Sequence, residues 1–325
     1  MASKFVDKIL QISIVNKTLL WSKRIVLPGF DGVPLFDVVS FLLKGLQESS
    51  LTTRASSLAF RFFLALFPAI IFLLSLLPYI PLDEFYFNLL IILDEFLPDE
   101  AFKMAASTLD DLLNKKHDTL LSLGFIFAIY FASDGVNAMI LEFNHSYHSI
   151  KKEVGFFKQR AISFLLLGIL TLLMVVAIFL MVFYKVIINY LISNDWVSSG
   201  ISLGTLAVIK MLALLIVFFT GISSIYYFGN LQGGKFKFIS AGSTLATGLM
   251  ILLSAGFAYY VNNFATYNKV YGSIGTLIVV LLWLYFNSLV LLIGYELNAS
   301  IAHAKDEKNK RDDELQLKLR GEEVN

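Results

Sequence analysis

Cysteine is absent from the 325 residues, and charged residues make up only 16% of them. Without cysteine, the chain forms no disulfide, offers no thiolate nucleophile and holds no cysteine-ligated zinc or iron–sulfur centre. A soluble domain carries roughly 25% charged residues, so this chain has too few for an ordinary water-exposed surface. Its net charge of +1 argues against a general nucleic-acid binder.

Hydrophobic residues account for 57% of the chain and are gathered into long runs. A helix needs about 20 mostly apolar residues to cross roughly 30 Å of hydrocarbon. The runs therefore predict an all-α, polytopic membrane protein with six transmembrane helices, the second of which is interrupted by Asp134. The predicted spans are 58–80, 119–141, 161–184, 203–228, 238–261 and 272–296.

Lysine and arginine are distributed unevenly among the segments between the predicted spans. Six crossings place both termini on one side, where the segments hold 19 of these residues against four on the other side. Because basic segments stay in the cytoplasm, we predict that both termini are cytoplasmic. No short apolar region with a small-residue cleavage site precedes the first span, so we expect insertion through the spans themselves.

Three segments do not belong to the predicted spans of the membrane domain, 58–302. The cytoplasmic segment 1–57 contains an amphipathic helix at 33–48, which either lies in the membrane interface or docks on the bundle. The loop 81–118 has nine acidic residues against three lysines, and forms either amphipathic helices over the outer mouth or a solvated loop. The charged tail 303–325 is predicted to be cytoplasmic and mobile.

Ionisable residues within spans are costly in hydrocarbon and are therefore candidate functional residues. Asp134 lies about seven residues from the inner end of the second span. It is either a proton-sensitive group or a neutral acid that hydrogen-bonds to a neighbouring helix. Arg61, Glu142 and Glu296 mark the cytoplasmic ends of three spans, where we expect one ion-pair cluster. That cluster either binds an anionic headgroup or gates a cavity, or it only fixes the helix ends.

Other residues of the spans suggest cavity lining, bending or packing. Lys185 follows the third span, and Lys210 lies about eight residues into the fourth. If both point inward, they attract anions such as phosphate-bearing lipids; if they point outward, both snorkel to the interface. Pro68 predicts a kink in the first span. Gly242 and Ala246, four residues apart, predict close helix packing on the fifth.

The sequence contains no recognisable catalytic motif. The string GISLG at 200–204 matches G-x-S-x-G but leads into a predicted membrane span instead of following a strand, and the chain lacks a phosphate-binding loop and an H-x-H-x-D-H cluster. Glu142, His145 and His148 have a spacing that would suit a metal on one helix face, but no further His or acidic pair completes such a site. We therefore predict no enzyme activity, no metal site and no cofactor.

Two stretches resemble the YihY/BrkB family of bacterial inner-membrane proteins. The run ASSLAFRFFLALFP at 55–68 resembles the opening helix of that family, and 271–299, with YGSIG, LWLY and GYELNA, resembles its closing helix. The order of the spans between them also agrees, so the resemblance covers roughly 35–302. Gly229-Asn230 departs from the Pro-Asn pair that members often have, which leaves the shape of that inner loop open.

The resemblance implies a six-helix integral protein of the bacterial cytoplasmic membrane whose activity is not established. Members have been called ribonuclease BN and virulence factors, but without a nuclease motif we do not favour a membrane ribonuclease. Movement of lipids or envelope precursors has been suggested for relatives. Our first hypothesis is thus transport or flipping of an anionic lipid or envelope precursor, with membrane lipids as partners. The alternative is a non-transporting scaffold for envelope partners, and the oligomeric state stays open.

Overall fold

The computed structural model contains seven helices among the residues that it describes, numbered α1 to α7. The described residues are 23, 25–48, 50–76, 118–146, 155–193, 203–231, 236–263 and 273–319. The helices are α1 (Leu35–Glu48), α2 (Leu51–Leu76), α3 (Asp118–Asn144), α4 (Phe156–Ser193), α5 (Leu203–Gly229), α6 (Ala241–Asn263) and α7 (Ser273–Leu319). The chain forms two compact units, one comprising Met1–Leu58 with Val136–Asn325 and the other Ala59–Gly135.

Six of these seven helices, α2 to α7, are long and apolar enough to cross a membrane. This confirms the all-α prediction of six spans, while the cytoplasmic side of the termini stays a prediction. Large apolar side chains on α4 and α5 are exposed, for example Phe179 and Met211. A helix that is apolar on all sides is typical of a membrane span. Pro68 lies inside α2, which continues past it to Leu76.

Helix α1 packs against α7. Val38 of α1 contacts a buried cluster that includes Leu297 and Ile301 of α7, with Phe30 and Val33 from the segment before α1. The apolar stripe of the predicted amphipathic helix is therefore docked on the bundle, which was one of the two alternatives. Apolar side chains elsewhere on α1 are exposed.

The charged tail forms the end of α7, which continues to Leu319. The expectation of a mobile tail was wrong for this part of the chain. Opposite charges recur four residues apart, as at Asp306 and Lys310 or Glu307 and Arg311, and this spacing stabilises a helix in water. Composition alone predicted disorder because it ignores this spacing.

Helix α6 begins at a capping box that faces α7. Ser240 Oγ accepts a hydrogen bond from the backbone N–H of Ser243 at 3.1 Å, and Ser243 Oγ accepts one from the N–H of Ser240 at 3.1 Å. Asn298 of α7 accepts from the N–H of Gly242 at 2.8 Å. Since α6 also packs against α5, and α5 against α4, the cap fixes the start of α6 within this group of helices.

Several predictions concern parts of the chain outside the described residues. They include the first 22 residues and 77–117, so the prediction of amphipathic helices in the loop 81–118 stays a prediction. The backbone of Lys185 lies in α4, but its side chain is not among those described.

Candidate functional site

A buried ion-pair cluster joins α2, α3 and α7. Arg54 Nη1 donates a hydrogen bond to Glu296 Oε1 at 2.8 Å, and Arg54 Nη2 donates to the backbone carbonyl of Glu142. Arg54 Nε lies 3.6 Å from Glu142 Oε2. Ser146 Oγ donates to Glu296 Oε2 at 2.7 Å. These four residues are called the Arg54 cluster below.

The Arg54 cluster is almost completely shielded from its surroundings. The side chain of Glu296 is 0% exposed and that of Arg54 is 7% exposed. A buried carboxylate is strongly unfavourable unless it is paired and hydrogen-bonded, and both oxygens of Glu296 accept a hydrogen bond here. Because its members come from three helices, the cluster fixes where α2 begins and where α3 ends relative to α7.

The arginine of this cluster is Arg54, whereas the sequence analysis expected Arg61 beside Glu142 and Glu296. That expectation was wrong because the predicted first span began at residue 58, which left Arg54 in the cytoplasmic segment. Helix α2 begins at Leu51 instead. Arg54 and Arg61 are seven residues apart, about two helical turns, so the sequence did contain the signal that both could serve one helix face.

Arg61 and Asp134 form a second ion pair, within the unit Ala59–Gly135. Arg61 Nη1 donates to Asp134 Oδ2 at 2.9 Å, and the two side chains are 42% and 31% exposed. Asp134 lies at least ten residues from either end of the candidate span Ser122–Asn144. Asp134 thus accepts a hydrogen bond from a charged donor on a neighbouring helix, while its protonation state stays a prediction.

Lys210 lies against an aromatic ring of the neighbouring helix. Its Nζ is 4.2 Å from the centre of the Tyr184 ring, a distance at which a cation is attracted to the face of the ring. This contact provides Lys210 with a partner inside the apolar part of α5. Whether Lys185 and Lys210 both point into one cavity or both snorkel outward stays open, because the side chain of Lys185 is not described.

Helices α6 and α7 approach each other closely through small residues. A Cβ atom added to Gly242 would overlap the carbonyl oxygen of Gly294 and come within 2.6 Å of the side chain of Asn298. One added to Gly294 would come within 2.9 Å of the Cβ of Ala246 and would overlap the hydroxyl of Tyr226. The small residues at 242 and 246 therefore lie in the α6–α7 interface, where only glycine fits at 242 and 294.

Aromatic rings pack beside this interface. Tyr295 stacks on Phe143 of α3, with ring centres 4.2 Å apart and planes 4° from parallel. The hydroxyl of Tyr295 donates to Asn230 Oδ1 at 3.2 Å, and a Cβ at Gly229 would lie 3.3 Å from the Phe143 ring. The Gly229-Asn230 pair, where this chain departs from the pattern of its apparent relatives, thus contributes directly to this packing.

Several residues with partners in the structure were not singled out as site residues from the sequence. Apart from Glu296, segment 294–299 served only to show the resemblance, yet Asn298 also donates to Ser240 Oγ at 2.9 Å. This six-residue segment contains a glycine, a tyrosine, an acid and an amide. Such small and polar residues in a span could have predicted contacts with neighbouring helices. Ser146 had no such signal, because a single serine after a span is common.

The described residues contain no group of three or more histidines and acids that could hold a metal ion. His145 Nδ1 lies 3.7 Å from Glu142 Oε2, while His148 is outside the described residues. The charged groups that lie together in the described part of the chain are cations paired with carboxylates. Such pairs can hold helices together, and their cations can also bind an anion in place of the carboxylate.

Comparisons with known proteins agree with this architecture. Residues 42–316 match the family model described as virulence factor BrkB. YfkH of Bacillus subtilis, whose name describes it as ribonuclease-like, is 33% identical over 258 residues, which cover 78% of this chain and 90% of YfkH. A UPF0761 membrane protein of Aggregatibacter aphrophilus is 25% identical over 272 residues, which cover 81% of this chain and 91% of that protein. No solved structure matches. With the family model covering most of its length, the chain belongs to the BrkB family of membrane proteins.

Proposed function

We propose that this protein transports or flips an anionic amphiphile, a lipid or an envelope precursor, across the bacterial cytoplasmic membrane. The observation that carries the proposal is the Arg61–Asp134 ion pair. Asp134 lies at least ten residues from either end of the candidate span Ser122–Asn144, and the two side chains are still 42% and 31% exposed. Family membership supports a multi-pass membrane protein and leaves the activity open.

The depth of this ion pair is the first argument. Asp134 is at least ten residues from either end of its candidate span, which corresponds to about 15 Å of helix. A charged side chain exposed to hydrocarbon at that depth costs several kcal/mol. The exposed part of the pair therefore requires polar surroundings, such as water or a polar ligand. This requirement supports a polar space at mid-depth within the unit Ala59–Gly135.

The chemistry of the pair is the second argument. A guanidinium group binds phosphate and carboxylate with the same fork of N–H donors. A phosphate headgroup can therefore replace Asp134 at Arg61, and Asp134 can replace the headgroup when it leaves. The pair thus provides an anion site that stays neutral while empty.

Transport is tested with purified protein in lipid vesicles that contain fluorescent phosphatidylglycerol, whose access to a membrane-impermeant quencher reports flipping. We expect Arg61→Gln to lower both flipping and the amount of phosphatidylglycerol that copurifies. Asp134→Asn keeps the cation and removes its competitor, so it should raise the retained lipid while slowing flipping. Lys158→Gln is the control, because it removes an exposed cation at the start of α4, outside the apolar run of that helix.

The opposite signs of the two variants distinguish this mechanism from a purely structural ion pair. A structural pair predicts that Arg61→Gln and Asp134→Asn lower stability and lipid retention together. Equal flipping by wild type, both variants and empty vesicles would refute the transport proposal.

A scaffold for envelope partners is the second candidate, and the helical end of α7 favours it. Charged side chains between Lys305 and Glu314 are exposed along this end. Removal of 312–325 leaves the contacts of Lys305 and Lys308 in place. A scaffold should then lose its crosslinked neighbours in the membrane, while a transporter keeps its flipping activity. Both candidates are non-enzymatic, so RNA cleavage by the purified protein would contradict them.

A further inference from the structure

A cavity of about 350 Å³ lies beside the start of α6 and the part of α7 that follows the predicted span 272–296. It is lined by the segment before α1, the segment that leads into α6, and α7. Its charged lining residues include Lys237, Lys305 and Asp31, and Ile239 is among its apolar ones. It is called the α6–α7 cavity below. Because Ala241 begins a candidate span, the cavity lies at the level of the membrane surface.

Two lysines of the cavity converge on one carboxylate. Lys237 Nζ lies 2.5 Å from Asp31 Oδ1, and Lys305 Nζ lies 3.1 Å from Asp31 Oδ2. Each ammonium group has three N–H bonds, and one is enough for its contact with Asp31. Lys308 Nζ donates to a backbone carbonyl of the segment before α1 at 3.0 Å. With Asp306 as the second acid of the lining, these five residues have a net charge of +1.

Apolar side chains accompany these cations. Ile239 is 71% exposed and Phe238 is 38% exposed, directly between Lys237 and the start of α6. Exposed apolar residues beside a lysine at the end of a span are typical of a segment that contacts the membrane interface. A free phosphate ion gains nothing from such side chains, whereas the glycerol and upper acyl chain of a lipid do. The lining therefore favours a lipid over a soluble anion.

We propose that the α6–α7 cavity binds the phosphate group of an anionic glycerophospholipid from the adjacent leaflet. Lys237 and Lys305 donate to the phosphate, and Ile239 contacts the apolar part of the lipid. Basic pockets between transmembrane helices are suited to such headgroups. The site uses none of the residues of the proposed transport function, so either proposal can fail alone.

The site predicts a specific role for Asp31, which competes with the phosphate for both lysines. Asp31→Asn should therefore strengthen lipid binding, although it removes two ion pairs. A site in which these residues only hold the segment before α1 predicts the opposite, because the loss of those pairs would loosen the cavity.

The test is native mass spectrometry of the full chain in detergent, titrated separately with phosphatidylglycerol, phosphatidylethanolamine and inorganic phosphate. Each lysine near a membrane surface changes anionic lipid binding by about fivefold. We expect Lys237→Gln with Lys305→Gln to raise the dissociation constant for phosphatidylglycerol about thirtyfold. Lys310→Gln, on the exposed part of α7, is the matched control and should leave it unchanged.

Ala302→Trp provides an independent variant, because it fills the cavity and keeps Asp31 and both lysines. It should also abolish phosphatidylglycerol binding, even if the double lysine variant does not fold. Equal binding of phosphatidylethanolamine, or equal loss in Lys310→Gln, would overturn the proposal. If inorganic phosphate bound as tightly as the lipid, the assignment to a lipid would be overturned. If Asp31→Asn bound the lipid more weakly than the wild type, the role of the cavity lysines would be overturned.

Discussion

The Arg54 cluster predicts an unusual order of stabilities among its variants. In the Arg54→Ala variant, the carboxylate of Glu296, which is 0% exposed in the native chain, loses its cation. Loss of one partner of a buried ion pair costs about 3–5 kcal/mol, because the other charge is left uncompensated. Glu296→Gln keeps the shape of the side chain and leaves Arg54 beside the carboxylate of Glu142 at 3.6 Å, so we expect a smaller loss of about 1.5–3 kcal/mol.

The double variant gives the decisive comparison. Once Arg54 is alanine, replacement of Glu296 by glutamine removes the uncompensated charge and should restore stability. We therefore expect the Arg54→Ala, Glu296→Gln double variant to be more stable than Arg54→Ala alone, although it carries one more substitution. Ser146→Ala, which removes the hydroxyl that donates to Glu296 Oε2 at 2.7 Å, should cost about 1 kcal/mol.

The free energy of unfolding is measured by denaturant titration of the purified protein in mild detergent micelles, with helix content as the readout. If Arg54→Ala yields no folded protein, folded protein obtained from the double variant would equally show that removal of the charge of Glu296 restores stability. Additive losses from the two substitutions would refute the argument. Such a result would mean that Glu296 is not held as a carboxylate by Arg54.

Three further predictions concern packing, orientation and pH. Gly242→Ala should strongly reduce the yield of folded protein, because its Cβ overlaps α7, whereas Gly248→Ala, with no atom within 4 Å of the added Cβ, should not. The chain has no cysteine of its own, so single cysteines can report its orientation. In intact cells, a membrane-impermeant thiol reagent should label Ser198→Cys, which is predicted to lie outside the cytoplasm, and should not label Lys310→Cys. The reverse pattern would refute the prediction that the termini are cytoplasmic. Hydrogen bonds from Lys237, assisted by Lys305, hold the pKa of Asp31 below its ordinary value of 3.8. The stabilisation that Asp31 provides is thus full above about pH 4 and is lost as the pH falls through the lowered pKa. Hydrogen exchange of the segment before α1 measures this loss of stability. An equal loss in the Asp31→Asn variant would refute the assignment to Asp31.

The start of α2 illustrates where the sequence was insufficient. The apolar run begins at residue 58, but the helix begins at Leu51, because threonine, arginine and serine can continue a helix that packs on neighbours. Hydropathy measures only which residues prefer lipid. It does not show how far a helix extends beyond the hydrocarbon, and so it excluded Arg54 from the site. The same limit explains why α7 continues to Leu319 through a strongly charged stretch.

The sequence by itself determined the class of the protein and its six spans, because the length of an apolar run is a local property that the thickness of the bilayer fixes. It also identified Asp134, Glu142 and Glu296 as charges that require an explanation, and Gly242 as a packing position. Only the tertiary structure decided which arginine pairs with which acid. Pairing between helices depends on where each helix begins and how it is rotated against its neighbours, and these are set by contacts such as Gly242 with Gly294, which lie far apart in the sequence.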